Sequence, residues 1–442
     1  MSRLPSPDEV RALRSARRTI SATIPVRHSA AEIYPYLTQV DLYNRAAGSS
    51  PVTYDVTPSA DGASLFRATA RKAGVAMRYV ELPYEWETPR FVHGELFFEN
   101  GPFLYGRIRG EYDEALRAVR YIIDYVPRGR FSLAGLLARL LLRRFSAIVR
   151  GIDVRVPDRV HDPMAVAGFA DRSPDQLRRA GELARAWSHL APDPVVAETL
   201  ADLVLTGPDR IIGRMRPYAV ARQLGTERSE TLQFCMRAAE AGFLEFQWDF
   251  VCPSCGGARR RARTIAELGE EAHCDVCNIR YAADLHRNVE VSFRPASSLR
   301  AIDAREFCIQ SPSHQRLILA QVNVESRGTA RLTLELTPGH YRLRTVGRDG
   351  EMLFDAVYGR PRQEVVADVT NNLDGSAVQC GATLDLVVKN DAQNWRTIRF
   401  EHHGYREDAA TAADVAAMPE LRHIVGDVAD LLDQSAARYE AD

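Results

Sequence analysis

The sequence predicts a multidomain α+β protein, with a helix-grip domain first, a helical segment carrying a cysteine-knuckled ribbon in the middle, and a β-sandwich last. Three observations predict it. Strand-like runs between Thr19 and Val126 are bracketed by a short amphipathic helix and a long one. Two C-x-x-C pairs stand eighteen residues apart, at Cys252/Cys255 and Cys274/Cys277. Beyond them, short alternating runs recur with polar turns between, as the strands of a sandwich do.

The chain has 442 residues, enough for about three domains at the usual size. Its apolar fraction of 45% and charged fraction of 26% are those of an ordinary globular protein. A net charge of −1 gives no bulk attraction to nucleic acid or an anionic membrane. The polar N-terminus, 1–18, lacks the apolar core of a signal peptide. The most hydrophobic run, Leu133 to Val149, is interrupted by Arg139, Arg143 and Arg144 and is a poor membrane span. With no export signal, the cytoplasm is the expected compartment, and Cys235, Cys308 and Cys380 are read as reduced core thiols.

In chain order, a strand runs through Thr19–Val26, and a helix begins after Ser29, a good N-cap, with Ile33, Tyr34 and Leu37 on one face. Strands follow at Val52–Val56, Ser64–Arg71, Ala76–Leu82, Phe91–Phe98, Leu104–Tyr112 and Ala118–Val126. They are punctuated by Asp61-Gly62, Pro83, Asn100-Gly101-Pro102 and Asp113-Glu114. The closing helix, Leu133–Val149, carries a stripe of Leu136, Leu137, Leu140, Leu141 and Ile148. A curved sheet wrapped on such a helix commonly leaves a cavity. Glu81, Trp86, Tyr105, Arg107 and Tyr125 are the polar or aromatic residues expected near it, though rim and sheet-packing positions fit them equally well.

Residues 156–174 read as a linker. Helices are expected at Pro174–His189, Pro194–Leu205, 216–225 and 226–242, with Thr226 as N-cap and Leu232, Phe234, Cys235, Ala238 and Ala239 buried. A strand, Phe243–Phe250, leads into the ribbon, giving the order of a winged helix. The second helix mixes Glu227, Arg228, Glu230, Arg237 and Glu240, so DNA binding ranks below protein packing.

The spacing of Cys252, Cys255, Cys274 and Cys277 falls in the window of a zinc ribbon. Gly256-Gly257 lets the backbone double back after the first pair, and Asn278 can take a left-handed conformation after the second. Disulfides or a redox pair are the alternatives. One structural Zn²⁺ is expected, because four thiolates leave no position open for substrate. Further strands are expected at Val289–Phe293, Arg316–Val324, Thr329–Leu336, Gly339–Thr345, Met352–Val357, Glu364–Val369, Thr383–Lys389 and Thr397–His402. A helical tail carries a stripe of Leu421, Ile424, Val425, Val428, Leu431 and Leu432. The resulting partition is 1–18, an N-terminal extension; 19–155, helix-grip; 156–250, winged-helix-like; 251–284, zinc ribbon; 285–404, β-sandwich; and 405–442, tail.

Pro25-Val-Arg-His-Ser-Ala-Ala-Glu-Ile-Tyr34, Glu81-Leu-Pro-Tyr-Glu-Trp86 and the stretch Phe97 to Gly106 resemble the START-like, polyketide-cyclase-type (SRPBCC) superfamily. Arg216-Pro-Tyr-Ala, the run Ala241 to Cys255, His273-Cys-Asp-Val-Cys277, Val289 to Arg294 and Thr337 to Arg344 resemble the regulatory region upstream of bacterial class III adenylate/guanylate cyclase domains. The resemblance implies a role in signalling. The chain stops at Asp442 without the paired metal-binding aspartates of such a cyclase, so cyclase activity is not expected of it.

Two functional classes follow. One is a non-catalytic sensor, binding a small hydrophobic ligand in the START-like domain and relaying its state to a protein partner such as a nucleotide cyclase. The other is a START-like enzyme of cyclase or hydrolase type, with Glu81 and Tyr105 as candidate acid and base. DNA binding through the winged helix is a third reading.

Overall fold

The computed structural model describes residues 6–46, 48–58, 64–72, 75–155, 174–190, 194–207, 209–302, 307–403 and 409–419. Contacts divide the chain into two compact units. The first is Met1–Val156, Asp275–Ile279 and Glu306–Gly404; the second is Pro157–Cys274, Arg280–Arg305 and Tyr405–Asp442.

In the first unit, strands β1 (Arg18–Pro25), β2 (Thr53–Pro58), β3 (Ser64–Lys72), β4 (Val75–Glu81), β5 (Glu85–Glu87), β6 (Phe91–Phe98), β7 (Phe103–Asp113) and β8 (Ala118–Pro127) accompany helices α1 (Pro7–Ser15), α2 (Ala30–Leu37), α3 (Val40–Ala46) and α4 (Ala134–Arg155). The antiparallel order β1-β8-β7-β6-β4-β3-β2 curls around α4, the helix-grip arrangement. Its core brings Ala134 and Ala138 against Ala68, Tyr79, Phe103, Ile123 and Tyr125. The two alanines, one turn apart, let the helix approach the sheet closely. That choice corrects the expected apolar stripe. Leu137 and Leu141 pack inward as half-buried side chains, whereas Leu136 and Leu140 face out, 63% and 43% exposed.

Residues 1–18 were expected to be only a polar extension, but α1 occupies Pro7–Ser15. Ser6 and Glu9 form a capping box, and Pro7 starts the first turn. Arg14 then anchors the helix through bonds of 2.8 and 2.7 Å to the buried Glu95.

The sandwich packs a sheet containing Ile318–Val324, Arg396–His402, Gly339–Thr345, Glu351–Ala356 and Ala377–Cys380 on a second one of Gly328–Glu335, Thr383–Asn390 and Gln363–Asp368. Its apolar core includes Leu332, Leu343, Phe354, Leu386, Ile398 and Phe400. The short strand Ala377–Cys380 lies outside the expected set. Short β5 pairs with both β6 and Ile318–Val324, so one 13-stranded sheet runs from the helix grip into the sandwich.

The second unit contains helices Pro174–Trp187, Pro194–Thr206, Pro217–Leu224 and Arg228–Glu240. Gly225 ends the third with φ 68°, a left-handed C-terminal stop. Glu227, not Thr226, is the N-cap of the fourth; the Thr226 hydroxyl instead meets that of Thr231 at 2.7 Å. Strand Leu244–Val251 follows and pairs with Ala258–Ala262 and with Val289–Pro295. The last strand was expected to open the sandwich. It lies here because Val289, Val291 and Phe293 bury their side chains beside Trp248 and Phe250. The expected linker, the Asp61-Gly62 turn and the stripe Leu421–Leu432 lie outside the described residues. No described helix is long and apolar enough to cross a membrane.

Candidate functional site

Between α4 and the curved sheet lies a cavity of about 860 Å³. Met77, Tyr79, Leu96, Phe98, Ile108, Ile123 and Tyr125 face it from the sheet, and Leu137, Leu141 and Phe145 from the helix. The strand alternation places these residues on the concave face; β6 and β7 also carry glycines, which shape the floor. A Cβ on Gly94 would come within 2.2 Å of the Tyr84 ring, and one on Gly110 within 3.3 Å of Tyr121, so both rings lie flat on the sheet. Tyr43, Tyr121 and Phe145 close the far end, with ring centroids 5.2 to 5.6 Å apart.

Two acidic residues, Glu81 and Asp124, belong to the wall, and Asp124 is engaged by Thr19, Arg107 and Arg109. Glu81 is buried, and its Oε2 accepts from the Tyr54 hydroxyl and from Gln310 Nε2, both at 3.1 Å. Burial, then the nearby Glu81 and Asp41, holds the Cys308 thiol well above its ordinary range. Burial, with Cys308 and Glu81 adding to it, does the same to the phenol of Tyr84. The Cys308 thiol and the Tyr84 phenol are therefore neutral hydrogen-bonding groups at neutral pH.

Of the residues singled out from sequence, Glu81 and Tyr125 line the cavity. Trp86 does not; its indole donates to the Ile318 carbonyl at 3.2 Å, where the sheet passes into the sandwich. Tyr105 points to the opposite face of the sheet, packs with Phe97 and Val10, and donates to Glu95 at 2.5 Å. Arg107, on the same outward side, lies 3.7 Å from Asp124, which Arg109 also approaches. Sequence alone left open which way each strand faced. Tyr84, Gly94 and Gln310 were missed; the strand glycines were the available signal for the first two, whereas Gln310 reaches Glu81 by a long-range hydrogen bond with no local pattern.

Cys252, Cys255, Cys274 and Cys277 come together as expected. All are buried, and their Sγ atoms lie within 4.8 Å of one another. Gly256 at φ 75° and Asn278 at φ 50° turn the two knuckles, each in the left-handed region. The Cys255–Cys274 Sγ separation is 3.9 Å. That is far beyond a disulfide's ~2.05 Å and close to the ~3.8 Å edge of a tetrahedron with ~2.3 Å metal–sulfur bonds. Arg259 donates to Cys274 Sγ at 3.1 Å and Cys255 Sγ at 3.4 Å. Arg399, 1% exposed, donates to Cys277 Sγ at 2.8 Å and to the Val276 carbonyl at 3.1 Å. Guanidinium donors suit thiolates, and four thiolates with two guanidiniums suit a divalent metal. The donor set therefore fits a closed, four-coordinate site.

Among known proteins, residues 183–314 match a family described as "Family of unknown function (DUF5939)". No curated protein matches the chain. Solved structures with some similarity include the di-domain ARO/CYC BexL from the BE-7585A biosynthetic pathway, 14% identical, covering 33% of this chain with a TM-score of 0.23. The chain spans about half of BexL, 51%. The Zhui aromatase/cyclase from a Streptomyces species is 14% identical over 31% of this chain and 87% of its own, with a TM-score of 0.20. Protein Ms6760 from Mycobacterium smegmatis is 14% identical over 34% of this chain and 95% of its own, with a TM-score of 0.23.

Proposed function

We propose that this protein is a ligand-responsive regulator: its START-like domain takes up a small, mostly apolar molecule, and the chain passes that state to a protein partner. The observation that carries the reading is the cavity of about 860 Å³, which is in the size range of small-molecule sites and is lined by apolar and aromatic side chains with few polar groups. Glu81, with its Tyr54 and Gln310 donors, is the orienting group for a hydroxyl or amide on the ligand.

A buried hydrogen-bond chain supports the relay. The Tyr84 carbonyl accepts from Gln321 Nε2 at 2.5 Å, Gln321 Oε1 accepts from Arg399 Nε at 2.6 Å, and Arg399 reaches Cys277. Tyr84 lines the cavity, so a ligand that displaces its segment acts on the group holding a cysteine knuckle. Coupling follows only if the ligand favours one arrangement of that chain over another. In this reading the four cysteines hold one structural Zn²⁺, which stiffens the knuckles, and the partner is a signalling protein such as a class III nucleotide cyclase.

Native mass spectrometry of the full-length protein tests the reading. A mass excess of one zinc plus an organic molecule released on activation is the expected result. A chain that carries metal but neither retains nor takes up any apolar molecule from a panel of lipids and aromatic metabolites would refute ligand sensing. Turnover of a captured molecule, abolished by Glu81→Gln, would replace the sensor with an enzyme.

A further inference from the structure

We infer that the mouth of the cavity is a docking surface for an anionic phospholipid bilayer, from which the ligand enters; this rests on the cavity reading above. Exposed large apolar side chains occur singly at Leu116, Val154, Tyr358 and Val366, but four are grouped around the start of α4. Phe131 is 97% exposed, Leu133 66%, Leu136 63% and Leu140 43%. They lie at the start of α4 and in the turn before it, and Phe131, Leu133 and Leu140 also line the cavity. The outer face and the interior are thus joined by apolar side chains.

Charge complementarity selects the occupant. Between Asp124 and Asp153 there is no acidic residue, and there are six arginines: Arg128, Arg130, Arg139, Arg143, Arg144 and Arg150. All six are exposed. On α4, Leu136, Arg139, Leu140 and Arg143 follow the i, i+3, i+4, i+7 spacing of one helix face. Protruding Phe and Leu among arginines match the two layers of a membrane interface, acyl chains beneath and anionic headgroups above. The near-zero net charge hides this local bias. An acidic protein partner would satisfy the arginines but would leave apolar side chains that also line a ligand entrance without a purpose, so the bilayer is favoured.

The test is flotation of the full-length protein with phosphatidylcholine vesicles, with or without about a third phosphatidylserine, at about 0.1 M and about 0.5 M salt. Binding is expected on the anionic vesicles only, weakening at the higher salt. The double variant Arg139→Glu/Arg143→Glu is expected to lose on the order of tenfold or more in partition, since each removed arginine accounts for roughly fivefold. Arg139→Lys/Arg143→Lys should retain it, and Leu136→Glu, outside the cavity lining, should weaken binding at both salt concentrations. Circular dichroism and melting of the variants show that they are folded. Failure of the wild type to float with any vesicle, equal binding by the charge-reversed variant, or capture by an acidic carrier protein without vesicle binding would each overturn the proposal. Recovery of an organic molecule from a protein that ignores vesicles would sink docking and leave the cavity reading standing. Vesicle binding by a protein that takes up no apolar molecule would do the reverse.

Discussion

The four-cysteine centre and the helix-grip cavity both enclose space, but by opposite means. At the centre, four sulfurs from two short turns converge within 4.8 Å and two arginines complete their hydrogen bonding. In the cavity, side chains from four strands and three helices stand back from one another, and strand glycines make room for the rings that line it. The contrast teaches where specificity resides. A metal knuckle depends on a few residues that cannot be exchanged, whereas an apolar pocket depends on total volume and tolerates volume-conserving change.

The largest effect is expected from breaking the centre. Cys274→Ser should abolish metal retention and unfold the ribbon, because closed thiolate sites contribute on the order of 10 kcal/mol to small metal-bound folds. Metal analysis of the purified variant, with its thermal midpoint, checks this; full metal occupancy in the variant would refute the assignment. Next comes Arg399→Met, which leaves Gln321 Oε1 and the Val276 carbonyl short of a donor and the Cys277 sulfur without its charge partner. A loss of about 3–5 kcal/mol in denaturant unfolding is expected. If the relay operates, ligand affinity should fall as well, although Arg399 does not itself line the cavity.

The cavity side of the comparison is expected to be softer. Gly94→Ala forces the Tyr84 ring aside and should cost about 1–3 kcal/mol, with a loss of ligand uptake that a purely local packing defect on the outer face would not cause. Tyr105→Phe is the matched control. It removes one bond to the buried Glu95 and should cost about 1–3 kcal/mol while leaving ligand uptake unchanged, since the hydroxyl lies on the outer face. A change in ligand affinity in Tyr105→Phe would blur the distinction between the two faces of the sheet.

The smallest expected effect is a pH dependence. Burial pushes the Glu85 carboxyl up, but the charge and hydrogen bond of His93, 2.5 Å away, together with the Asn323 amide, outweigh it and leave its pKa below the usual 4.5. The unfolded chain therefore binds this proton first as pH falls. Its contribution is complete above pH 4.5 and is lost as pH drops through the lower folded value. Glu85→Gln should flatten that acid limb in denaturant titrations at graded pH.

How far each part was legible follows the same division. Gly256 and Asn278 each directly follow a cysteine pair, so local stereochemistry announces the two knuckles. The sandwich strands were legible from alternation, and the Ser29 capping box marks the start of α2. The Ser6–Glu9 box of α1 was equally local and could have been read. Trp86, Tyr105 and Arg107 could not be placed from alternation alone, because period two separates the faces of a strand without saying which face is concave. Strand Val289–Pro295 was misplaced for a related reason: a buried apolar run fits either neighbouring sheet, and long-range pairing with Leu244–Val251 decides.

By itself, then, the sequence determined the features carried by short-range covalent geometry: the paired cysteines, the helix caps, the alternating strands and the α+β class. Tertiary structure decided what depends on residues far apart in the chain. It chose Ala134 and Ala138 as the contact face of α4 and turned Leu136 and Leu140 outward. It joined β5 to Ile318–Val324 and brought Gln310 to Glu81 across more than two hundred residues. The physical reason is that turn and cap preferences act through neighbouring dihedrals and bonds, whereas burial and hydrogen-bond satisfaction are settled only when distant segments compete for the same surface.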